Sequence, residues 1–91
     1  MPVQIEVPTI MRQFTGGEAK VEADGVTLRD VFEDLDRRYP GLAGQLVGDD
    51  GGVRRFVNIY LDDEDVRYLD ALDTKVKDGS VVSILPAVAG G

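Results

Sequence analysis

The sequence predicts an α+β fold in which a mixed sheet of four to five strands carries one main helix on one face. Three observations lead there. Short runs alternate apolar and polar residues with a period of two, beginning with Val3, Ile5 and Val7. A single segment, Leu28 to Arg38, carries apolar residues at helical spacing on one side only. The last run, Ser80 to Leu85, is apolar on both faces except at Ser83, which suits a strand with neighbours on both sides.

At 91 residues the chain has room for one domain. An apolar share of 43% is ordinary for a folded protein and places it outside the disordered class. No apolar run approaches the ~20 residues that span a bilayer. Met1 to Glu6 lacks the basic and long apolar regions of a signal peptide, so a cytoplasmic location is expected.

Each element follows in order. Val3–Val7 reads as a strand that Pro8 ends, and Lys20–Ala23 as its hairpin partner. Thr15-Gly16-Gly17-Glu18 carries turn chemistry between them, while Ile10 to Phe14 could extend either strand. Asp24-Gly25 is a turn. Thr27 with Asp30 three residues on has the form of a capping box, and Leu28, Val31, Phe32 and Leu35 then make one stripe. Arg37-Arg38 oppose the negative end of the helix dipole, and Pro40-Gly41 stops the helix. Gly41–Val47 has room for a short helical turn, and Gly48–Gly52 is a loop by composition.

Phe56–Leu61 reads as a strand with Val57, Ile59 and Leu61 on the covered face. Asp62–Asp65 reads as a turn, after which Val66-Arg67-Tyr68 could pair briefly. Leu69 and Leu72 suggest a short buried connector, and Lys77-Asp78-Gly79 another turn. Pro86 ends the last strand. The order is strand, strand, helix, strand, short strand, strand. It fits a β-grasp (ubiquitin-like) sheet in which first and last strands pair in parallel at the centre. Residues 1–86 then form the domain, and residues 87–91 a flexible tail that leaves from the sheet.

Composition excludes most self-contained chemistry. There is no cysteine and no histidine, which removes the usual thiolate nucleophiles, the commonest metal ligand and the commonest general base. No metal or bound cofactor is expected. A formal net charge of −7 opposes nucleic acid and anionic membrane surfaces, and favours a partner with a basic docking face. Gly16-Gly17-Glu18-Ala19-Lys20 lacks the spacing of a phosphate loop, and Asp62–Asp65 lacks the glycine and final glutamate of a calcium loop.

The Gly90-Gly91 end has a mundane reading as a frayed tail, since at ~7% glycine usage such a pair arises by chance in about one chain in 200. Its chemical reading is activation. A carboxylate becomes a useful electrophile once adenylated, and to reach another enzyme's ATP site it must thread a narrow channel, where residues without Cβ fit. The stretch Ile84-Leu85-Pro86-Ala87-Val88-Ala89-Gly90-Gly91 resembles the terminus of the ubiquitin-like sulfur carriers of molybdopterin and thiamin synthesis. Pro8–Arg12, Thr15-Gly16-Gly17, Phe56–Tyr60 and Asp63–Arg67 are similar to one branch, the actinobacterial-type carrier of cysteine synthesis from O-phosphoserine. Arg54-Arg55 and the Gly48–Gly52 loop resemble the family less.

That resemblance implies a carrier, not an enzyme. Gly91 would be adenylated by an ATP-using activating enzyme, with Ala87, Val88, Ala89 and Gly90 threading its channel. The resulting thiocarboxylate would pass sulfur to an acceptor such as a cysteine synthase or a thiosugar synthase. In the cysteine branch, a peptidase frees the product. The strand alternation puts Phe56 and Tyr60 opposite the helix-covered face, together with Leu85, and these three form the expected docking patch. The mundane reading of the patch is a second small core under the loops. Two rival functions use the same features: a ubiquitin-like modifier that forms isopeptide conjugates, and a plain β-grasp interaction module.

Overall fold

The computed structural model describes residues 2–48, 52–54 and 57–86. Strand β1 (Val3–Glu6) buries Val3 and Ile5 and turns Gln4 and Glu6 to the other side. It pairs antiparallel with β2 (Lys20–Ala23), which buries Val21 and Ala23. Between them, residues 9–15 form neither strand. They coil into a 3-10 helix that buries Met11 and Thr15 and leaves Ile10 exposed. The Thr15 hydroxyl is held against the carbonyls of Arg12 (3.1 Å) and Glu18 (2.8 Å), and Gly16 closes the turn at φ 66°.

Helix α1 (Leu28–Arg38) starts where the sequence places it. Thr27 Oγ1 accepts from the Asp30 amide, and the Asp30 carboxylate accepts from the Thr27 amide, so the box is closed in both directions. Gly25 is required just upstream, because a Cβ there would lie 2.6 Å from the Val31 amide nitrogen. Leu28, Val31, Phe32 and Leu35 are all buried against the sheet. The chain leaves the helix at Tyr39, and Gly41, at φ 97°, turns it into α2 (Ala43–Leu46).

The sheet has five strands in the order β2-β1-β5-β3-β4, with β3 at Val57–Leu61, β4 at Glu64–Asp65 and β5 at Val81–Pro86. β5 lies parallel to β1 and antiparallel to β3, which gives it neighbours on both sides as its apolar content predicted. Val57, Ile59 and Leu61 bury their side chains, as do Val82 and Ile84. Three local readings change. The brief pairing falls on Glu64 and Asp65, inside the acidic run, and Val66–Tyr68 forms a 3-10 turn instead. Leu72 is buried but Leu69 is exposed, so of the two leucines only Leu72 anchors the connector in the core. Pro86 is itself paired, opposite Val57, and so belongs to β5 instead of lying beyond it.

An arginine caps one backbone carbonyl on each flank of the sheet. Register turns the Glu22 carbonyl outward from β2, where Arg38 Nη1 donates to it at 3.2 Å. On the other side β4 is only two residues long, and past it the Val57 carbonyl accepts from Arg67 Nη2 at 2.7 Å. Occupied carbonyls of this kind deny a strand edge to other chains.

Candidate functional site

The described end of β5 is set by its pairing with β3. Pro86 sits opposite Val57, Leu85 opposite Asn58, and Ser83 opposite Tyr60. Alternation along β5 sends Val82 and Ile84 into the core and Ser83 and Leu85 to the open face. Leu85 is 48% exposed, a large apolar side chain with no helix over it. Tyr60 lies on the same face and is half-buried, so the structure brings these two predicted residues onto one surface. Phe56, the third, lies outside the described residues, as do Ala87, Val88, Ala89, Gly90 and Gly91.

Polar groups lock the frame around Leu85. Ser83 Oγ donates to Glu6 Oε1 at 2.9 Å, tying the open faces of β5 and β1 together. Arg67 reaches across from the turn after β4, giving Nη1 to the Asn58 side-chain oxygen at 2.8 Å and Nη2 to the Val57 carbonyl. The two residues that face Pro86 and Leu85 are therefore held by one guanidinium. On the far side of β5, Arg12 Nε donates to the Val7 carbonyl at 3.1 Å. A groove of about 280 Å³ runs there between Pro8, Arg12, Lys20 and Leu85. Sequence reasoning missed Arg67 as a structural pin, because its role depends on an edge that β4 leaves uncovered.

Among the described residues no group of three or more acidic side chains is arranged to hold a metal ion, and no helix is long and apolar enough to cross a membrane. The Asp34 carboxyl is held below the usual carboxylate range, chiefly by the Asp24 amide that donates to it at 2.8 Å and then by Arg37, with Arg38 adding to the effect. It sits on α1, away from Leu85, and its work is to fasten the helix to the turn after β2.

A central parallel pair of first and last strands, crossed by one helix, defines a ubiquitin-like β-grasp protein. The comparisons are narrower. The ThiS family matches residues 5–91. The sulfur carrier protein CysO of Mycobacterium tuberculosis is 48% identical over 93 aligned positions, covering 100% of both chains. A crystal structure of the BexX/CysO complex of Amycolatopsis orientalis contains a chain 46% identical, with a TM-score of 0.91 and coverage of 98% of this chain and 99% of that one. The small archaeal modifier protein 3 of Haloferax volcanii is 43% identical over 68 residues, 75% of this chain and 73% of that protein. The chain belongs to the ThiS family, the ubiquitin-like sulfur carriers.

Proposed function

We propose that this protein carries sulfur on its C-terminal residue as a co-substrate of other enzymes. The Gly91 carboxylate attacks the α-phosphate of ATP in an activating enzyme, and pyrophosphate leaves. A sulfur nucleophile then displaces AMP from the acyl-adenylate, leaving a thiocarboxylate. The nucleophilic sulfur attacks the electrophilic substrate of an acceptor synthase and displaces its leaving group. Hydrolysis of the resulting acyl–sulfur linkage by water releases the sulfur product and restores the Gly91 carboxylate for another round. No side chain of the domain takes part, which suits a chain without His or Cys.

The observation that carries this reading is the placement of β5. It is the central strand, held by β1 along residues 81–83 and by β3 along residues 82–86, and Gly91 follows Pro86 by five residues in the sequence. A terminus launched from a rigid centre can be presented to a partner without disturbing the core. The open face beside it supplies a hold through Leu85 and Tyr60, with the negative charge steering a basic partner. CysO was captured in complex with BexX, which supports a second protein as the natural partner here. The CysO likeness favours cysteine synthesis as the receiving pathway.

Intact mass of the protein isolated from its native cell tests the proposal. The expected species has one oxygen replaced by sulfur, and a thiol-selective reagent labels it. Conjugates through lysine side chains, with no sulfur-bearing form, would favour the modifier reading that the archaeal relative raises.

A further inference from the structure

The side of the molecule away from the open sheet face carries an open groove of about 500 Å³ between α1, α2 and the turn at Leu72. Its floor is apolar, made by Phe32, Ala43, Val47 and Leu72. Its rim is charged unevenly. Arg29 is engaged by Asp73 at 3.3 Å, and Arg54 Nε donates to the Gly44 carbonyl at 2.7 Å. Glu33 and Asp36 set two exposed carboxylates beside the floor, neither of them in an ion pair among the described residues.

Gly44 lines the same groove, and nothing in the fold asks for glycine there. It lies within α2, its φ is not in the left-handed range, and a Cβ would meet nothing within 4 Å. Glycine inside a helix costs about 1 kcal/mol relative to alanine. At Gly25 a close approach explains the residue; at Gly44 no such approach exists, and the missing side chain leaves that part of the groove wall bare.

We propose that this groove is a second docking site, separate from the Leu85 face, for a protein segment that presents an aliphatic or aromatic side chain flanked by lysine or arginine. The apolar side chain fills the floor beside Gly44, and the flanking cations meet Glu33 and Asp36. Charge complementarity selects this occupant, since the chain's net −7 repels an acidic segment throughout. The site is on the helix side, so occupying it leaves Leu85 and the end of β5 accessible. The proposal does not depend on the chemistry at Gly91.

NMR titration of the isotope-labelled full chain with blocked tripeptides tests it. Acetyl-Lys-Leu-Lys-amide is expected to shift the amides of Ala43, Gly44 and Val47 saturably. Acetyl-Lys-Ala-Lys-amide should bind at least about fivefold more weakly, having less apolar surface to bury, and acetyl-Glu-Leu-Glu-amide should leave these amides unmoved. Gly44→Phe fills the groove and should abolish the shifts with the fold intact. The double variant Glu33→Lys, Asp36→Lys changes only exposed side chains and should abolish them too, which keeps the test sound if Gly44→Phe misfolds. Equal affinity for the Leu and Ala peptides, shifts confined to residues around Leu85, or no saturable shift would each overturn the proposal. So would concentration-dependent shifts of the same amides without peptide, which would put a second copy of the chain in the groove.

Discussion

Strand β5 has two faces that do opposite work within six residues. Val82 and Ile84 are fully buried under α1, whereas Ser83 and Leu85 look out from the uncovered side, Leu85 at 48% exposure. One face holds the domain together through packing that any partner leaves untouched. The other carries apolar surface that the fold has no use for. The contrast teaches that in this chain recognition and stability are separable at single-residue spacing, so neighbouring substitutions should fail in different assays.

The largest effect is expected on the covered face. Val82→Asp or Ile84→Asp buries an unpaired carboxylate and should cost at least about 3 kcal/mol, a large share of what a domain this size holds; loss of the cooperative melting transition checks it. Removing Gly91, or extending the chain with a tag, should instead abolish ATP–pyrophosphate exchange with the activating enzyme and leave the melting temperature where it was. Normal exchange with a blocked terminus would sink the carrier mechanism.

Leu85→Asp divides the two faces most sharply. Half-saturation in the charging reaction should rise about tenfold, equivalent to about 1.4 kcal/mol, with little change in melting temperature. If this variant melts early, the outward face contributes to the core and the contrast fails. Thr27→Ala removes one side of the capping box and should cost about 1 kcal/mol, measured by urea denaturation, with charging of the folded protein unaltered.

The smallest effect concerns pH. Because the Asp24 amide and Arg37 hold the folded Asp34 carboxyl below its unfolded range, its contribution is complete above about pH 4, the unfolded carboxylate value, and is lost as pH falls through the folded one. Asp34→Asn should therefore be less stable than the parent at neutral pH, and the gap should close in acid. A constant gap across that window would show that the carboxylate's charge is irrelevant to helix docking.

What the sequence made legible was whatever repeats at a period. The stripe on α1, its cap, and the alternation in β1, β3 and β5 each state which face is buried, and the apolar content of β5 pointed to its central place beside β1. Residues 9–15 were opaque because a 3-10 helix has no 3.6-residue stripe: only Met11 and Thr15 are buried, and one of these is polar. β4 was hidden because its two residues, Glu64 and Asp65, pair through backbone alone and carry the side chains of a turn. Of the proposed docking residues, Leu85 and Tyr60 could be placed on one face by counting in twos. Arg67 could not, since its partners, Asn58 and the Val57 carbonyl, lie nine and ten residues away in the chain.

The central position of β5 has a mechanical consequence. A partner that draws on the C-terminus pulls β5 along its own axis, and the load is shared by the hydrogen bonds to β1 on one side and β3 on the other. Loaded in that direction, the bonds to β3 along residues 82–86 and those to β1 along residues 81–83 resist in shear. Were the final strand at an edge, a pull outward from the sheet would open it one bond at a time. The domain is thus anchored like a bead on a handle: tension applied to the terminus moves the whole body and leaves its interior folded.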